Sequence, residues 1–185
     1  MTGGLPGSGD LAWLWWAPLA AACLHILEEF VWPGGFAEWD RAYRPEIAGS
    51  ITPRLHLVVN GLLLAACVAV GLAGQPDGIL EVGGTRMRSV FPPSLAVPAW
   101  IALAALLASN ALFHVAGSVT TKRLSPGVRT GVLLYIPMFL YGLGRFLRAG
   151  RVSWGAVAIA VLMGGSYHLW AAWMHRARAG AARPA

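Results

Sequence analysis

Five apolar stretches, at about 11–32, 55–73, 95–119, 128–147 and 152–175, occupy most of the 185 residues. Each approaches or exceeds the roughly 20 residues that cross a hydrocarbon layer at a rise of about 1.5 Å per residue. A chain in lipid must satisfy its backbone polar groups internally, which leaves helices for segments of this length. The sequence therefore predicts an all-α, polytopic bundle of five transmembrane helices, with residues 1–185 as one integral-membrane domain. Composition agrees: 12% of residues are charged and 57% hydrophobic, with mean hydropathy +0.60, whereas soluble domains carry about 25% charged residues.

The loops refine this picture. Pro33-Gly34-Gly35 ends the first stretch, and Thr52-Pro53 opens the second, where proline fits the first helical turn. Between them, Phe36 to Ser50 mixes Trp39, Tyr43 and Ile47 with five charged residues, which predicts a short interfacial helix over the bundle. The Gly- and Pro-rich loop 74–93 predicts a small turn structure. Residues 1–10 are Gly-rich and lack a basic segment, so the first stretch does not read as a cleavable signal peptide. Cys23 and Cys67 lack metal or redox spacing and read as small core residues.

Charge sets sidedness. With the N-terminus outside, the cytoplasmic segments hold Arg41, Arg44, Arg54, Lys122, Arg123, Arg129, Arg176, Arg178 and Arg183, nine against Arg86, Arg88, Arg145, Arg148 and Arg151 opposite. The positive-inside rule selects N-out, C-in. A single lysine among many arginines, with abundant Ala and Gly, points to a high-GC bacterial genome and hence a bacterial cytoplasmic membrane. The pI of 10.2 raises nucleic acid as a partner, but the basic residues sit at span ends, and membrane topology accounts for them.

Ionisable groups inside a span are costly and face a protein interior. Placing them by depth brings His25, Glu28 and Glu29 of the first span, His56 and Asn60 of the second, Asn110 and His114 of the third, Tyr135 of the fourth and His168 of the fifth to one end, the cytoplasmic one. Direction agrees: His25, Glu28 and Glu29 share a helix face, and His56/Asn60 and Asn110/His114 are i,i+4 pairs in opposite chain order on antiparallel helices. Four imidazoles with carboxylate are a first-row metal donor set. The expected ligands are His25, Glu29, His56, His114 and His168 around one or two zinc or iron ions, with Glu28 and Glu29 handling protons and Asn60, Asn110 and Tyr135 orienting ligands or substrate. For His168 the alternative is an interhelical hydrogen bond, and for Tyr135 plain packing. His175, beside Arg176, reads as a solvated end residue, and Trp15, Trp16, Trp32, Trp170 and Trp173 as packing or interfacial belts.

The stretches His25-Ile26-Leu27-Glu28-Glu29 and Asn110-Ala111-Leu112-Phe113-His114, followed by Ser125-Pro126-Gly127 and Thr130, resemble the HXXEE family of small bacterial membrane proteins. The resemblance implies that these residues form a shared site and supplies no reaction. Three function classes stay open. The first is a metal-dependent membrane enzyme, a hydrolase or non-haem iron oxidoreductase, acting on a lipophilic or membrane-adjacent small molecule. The second is a metal-free acid/base isomerase or cyclase, and the third a proton or metal-ion transporter. Ligand count favours the first; the lack of an inverted repeat or a second polar cluster disfavours the third. The sequence does not specify an oligomeric state.

Overall fold

The computed structural model describes residues 11–181. The Gly-rich start and Arg183 of the charge count lie outside them. The chain is helical, with α1 at Ala12–Phe30, α2 at Phe36–Tyr43 followed by a 3-10 turn at Pro45–Ser50, α3 at Pro53–Ala73 and α4 at Pro93–Thr121. Then come α5 at Val128–Arg148, α6 at Trp154–Gly165 and α7 at Tyr167–Ala181.

Local chemistry sets the boundaries. Leu55 N–H donates to Thr52 Oγ1 at 3.2 Å, capping α3, and Pro53 takes the first helical position. Ser153 caps α6 in the same way, through Ala156 N–H at 3.3 Å. Loop 74–93 contains a two-stranded antiparallel hairpin, β1 at Ile79–Val82 and β2 at Thr85–Arg88. Its turn residues, Gly83 and Gly84, have φ of 55° and 79°, the backbone that a two-residue hairpin turn demands.

Among the described residues, four helical segments are long and apolar enough to cross a membrane: α3, α4, α5 and the α6–α7 pair over Trp154–Ala177. The expected first span is helical as α1 but falls outside this set. Trp13, Trp15 and Trp16, with His25, Glu28 and Glu29, dilute its apolar content. The expected fifth span is broken at Ser166, whose carbonyl accepts from both Leu169 and Trp170 N–H groups. The poor helix formers Gly164 and Gly165 precede the break. The segment 36–50 is helix plus 3-10 turn, with Phe36, Asp40, Ile47 and Ser50 buried.

The two ends of the bundle differ. At the end where α1 and α4 begin and α3 and α5 finish, Phe146 packs edge to face with Trp100 at 5.2 Å and tilted against Trp15 at 5.5 Å between ring centroids, and Trp100 Nε1 donates to Leu14 O at 2.9 Å. Trp15 is thus a core residue. Gly142 makes room for the Trp100 ring, and Gly164 lets α6 approach the Ala102 carbonyl of α4. Cys67 is buried as expected, whereas Cys23 is exposed. At the other end, polar residues of α1, α3, α4 and α7 line a cavity of about 400 Å³ roofed by α2.

Candidate metal centre

His25 and Glu29, one turn apart on α1, face His114 of α4, and all three are buried. Glu29 Oε1 lies 3.3 Å from His25 Nε2 and 3.1 Å from His114 Nε2. Among the described residues, these three form the one group of at least three potential metal ligands whose donor atoms all lie within 4.8 Å of one another.

The opposite ring nitrogens are tied down by hydroxyls. His25 Nδ1 is 2.9 Å from Thr130 Oγ1, and that oxygen lies 2.6 Å from Glu28 Oε2 and 3.2 Å from Gly127 O. An ionised carboxylate and a carbonyl only accept, so the single Thr130 proton goes to one of them and Thr130 oxygen accepts from His25 Nδ1–H. His114 Nδ1 is 2.8 Å from Ser125 Oγ, which also lies 3.2 Å from the Pro126 carbonyl. The Thr130 contacts assign Nδ1–H to His25, Ser125 holds His114 by its Nδ1, and both Nε2 atoms face Glu29 Oε1. Asn110 Nδ2 lies 3.0 and 3.3 Å from the two Nε2 atoms.

Glu28, around the helix from Glu29, points away from the cavity. Its oxygens accept from Arg129 N–H at 3.2 Å, Thr130 N–H at 2.8 Å and the Thr130 hydroxyl. This carboxylate caps the N-terminus of α5, where the helix dipole favours negative charge. The Ser125-Pro126-Gly127 turn lies directly on the triad. Gly127 has φ +95°, and a Cβ there would meet His25 Cε1 at 2.7 Å, Glu29 Cγ at 3.0 Å and His114 Cε1 at 3.0 Å. Ser118 Oγ holds the turn to α4, donating to His114 O at 2.7 Å and accepting from Ser125 N–H at 2.9 Å.

The other expected ligands occupy different places. His56 and His168 line the cavity with Asn60 but stand outside the three-residue group. His56 packs on Phe30 and Phe36, and His168 stacks on Phe113 at 4.8 Å and 9°. Tyr135 is buried in a π-helical turn, Gly131–Tyr135, with its ring 4.6 Å from that of His25, and it does not line the cavity. His175 is not a solvated end residue: its Nδ1 lies 2.6 Å from the buried Ser50 Oγ.

Sequence reasoning placed neither Ser125 nor Thr130 among the ligand-orienting groups. Their signal was the position of hydroxyls at the start of the fourth stretch, level with His25 and His114. It also left Asp40 and Arg44 on a surface helix, although their i,i+4 spacing forms a pair. Arg44 bonds both Asp40 oxygens, at 2.8 and 2.6 Å, within the cavity wall.

Chemically, two neutral imidazoles and one carboxylate converge from one side beside an open cavity. No curated protein and no solved structure matches the chain. A family model described as "Protein of unknown function with HXXEE motif" matches residues 16–142, which contain the triad and the Ser125 and Thr130 anchors, and the chain belongs to this HXXEE family.

Proposed function

We propose that the protein is a metal-dependent membrane enzyme whose ion, zinc or iron, is held by His25 Nε2, His114 Nε2 and Glu29 Oε1. The observation that carries this reading is the pair of hydroxyl-anchored histidines. With Nδ1–H on both rings, the two Nε2 lone pairs, each 3.1 to 3.3 Å from Glu29 Oε1, repel that carboxylate oxygen unless a cation lies among them. Ligands bound at about 2.0–2.2 Å are separated by about 3.0–3.5 Å along the edges of an octahedron or tetrahedron, so the observed spacing suits an ion. Protonating both imidazoles instead would set two buried cations against one carboxylate. Donation of Nδ1–H to a fixed acceptor is the usual support of a metal-bound histidine.

A His-His-Glu set leaves positions open for water or substrate, as in catalytic zinc sites and non-haem iron sites. The ion would polarise a substrate oxygen or activate water. In this reading Glu28 is a positioning residue, whereas Glu29 is a ligand. His56, Asn60 and His168 form the polar wall facing substrate. α1 serves as a fifth span, with its polar face turned to the site, and α2 lies at the interface. The nine-to-five charge bias supports a site at the cytoplasmic side of a bacterial membrane, with the N-terminus out and the C-terminus in. The core packed around Trp15, Trp100 and Phe146 is apolar among the described residues, which weighs against transport.

One observation favours a metal-free acid/base site. Asn110 already donates to both lone pairs and must turn away when an ion takes them. Elemental analysis of protein purified without chelator separates the two readings. The metal reading expects about one ion per chain, lost in Glu29→Gln and His114→Ala and kept in His56→Ala. Metal-free, folded and active protein would establish the acid/base reading instead.

A further inference from the structure

The cavity beside His25 and Glu29 changes character along its length. On α3 the lining runs from His56 and Asn60 to Leu62 and Ala66, and on α4 from Asn110 to Leu106 and Leu103. From His56 to Ala66 the helix rises about 15 Å, so a polar chamber continues into an apolar groove. Leu62 and Trp170 line this cavity and are also 67% and 59% exposed, so its mouth opens sideways between α3 and α7. Leu62 lies about 14 Å along α3 from Pro53. The mouth therefore faces the interior of the span rather than its end.

The polar chamber holds unmet hydrogen-bonding capacity. His56 Nδ1 and His168 Nε2 are buried without a hydrogen-bond partner, an arrangement that is costly to leave unmade. Its one arginine is already paired. Arg44, the lining's one arginine or lysine, is held by both Asp40 oxygens, and its guanidinium lies over Phe113 at 4.9 Å. No unpaired arginine or lysine remains in the lining for a phosphate or carboxylate head.

We infer that the cavity binds a long-chain lipid with an uncharged hydroxyl or carbonyl head. The head sits at His56 and His168 beside the proposed ion, and the chain follows α3 to the Leu62–Trp170 mouth and the bilayer. This inference rests on the membrane-enzyme reading and names its substrate class, but binding itself requires no ion.

The test uses the full chain in phosphatidylcholine vesicles, with a long-chain alcohol carrying a mid-chain diazirine as photoprobe. Labels are expected on α3 and α7 around Leu62 and Trp170, and unlabelled hexadecanol or hexadecanal should compete while butanol does not. Leu62→Trp fills the mouth and should reduce labelling by about tenfold or more, as loss of an apolar groove implies. Leu140→Trp, at a residue of similar exposure outside the cavity, controls for folding and should label normally. His168→Phe keeps the stack on Phe113 and removes the nitrogen, for a loss of about two- to tenfold in hexadecanol competition. Labels spread evenly to outward residues such as Leu133 and Ile159, or an unaffected Leu62→Trp, would overturn the site. Hexadecanoate outcompeting hexadecanol would overturn the uncharged head. Chelator-treated protein should label equally; protein that carries no metal when purified without chelator yet labels in the cavity fails only the metal reading, and metal without labelling fails only this inference.

Discussion

Thr130 has one hydroxyl proton and sits between a carboxylate, a carbonyl and an imidazole, so its position fixes which nitrogen of His25 is free. Thr130→Val keeps the shape and removes the relay; metal affinity should fall by about 10–100-fold, with Thr130→Ser restoring it, as titration against a competing chelator would show. Glu28→Gln should keep the ion but weaken the α5 cap, lowering stability by about 1 kcal/mol in denaturant unfolding. Loss of stoichiometric metal in Glu28→Gln would instead make Glu28 a ligand. Gly127→Ala combines a left-handed φ with a Cβ driven onto both histidine rings, so both stability and metal content should drop. His25, Glu29 and His114 were legible because depth along a span can be read from sequence. His56 and His168 share that depth, but facing depends on how helices pack, and packing turned them to Phe36 and Phe113.

At the scale of elements, α2 shows how a polar helix can read as an interfacial one and yet seal a site. Its Phe36 and Trp39 rings lie 5.3 and 6.3 Å from that of His114, and Gly117 on α4 leaves room for Trp39. Asp40 holds Arg44 at the end of α2, and the Arg44 guanidinium lies over Phe113 of α4 at 4.9 Å. Because Asp40 is buried while Arg44 is partly exposed, Asp40→Ala should cost about 1–3 kcal/mol, below the full penalty for splitting a buried pair. It should also speed metal removal by chelator, measurable as an extraction rate; an unchanged rate would separate α2 from the site. Helix starts were legible from Thr52-Pro53 because capping is local. The hairpin was not, since its strands are four residues each and only Gly83-Gly84 marks the turn. The break at Ser166 was also hidden, because hydropathy continues across it from α6 into α7.

Across the whole molecule, an apolar end packed around Trp100 supports a polar end organised around Glu29. That division was legible from depth alone, whereas the cavity between α3 and α7 was not, because it depends on where two lightly buried helices diverge. Reporter fusions after Ala185 should be active as cytoplasmic fusions, and periplasmic activity there would reverse the sidedness while leaving the site intact. The central claim, an ion held by two histidines and one glutamate, is tested most directly by X-ray absorption at the metal edge on purified, metal-loaded protein. The account predicts two imidazole nitrogens and carboxylate oxygen at about 2.0–2.2 Å, with further light ligands from solvent. It also predicts the same spectrum in the His56→Ala and His168→Ala variants. Three or four imidazoles in the shell, or a spectrum unchanged in His114→Ala, would contradict it.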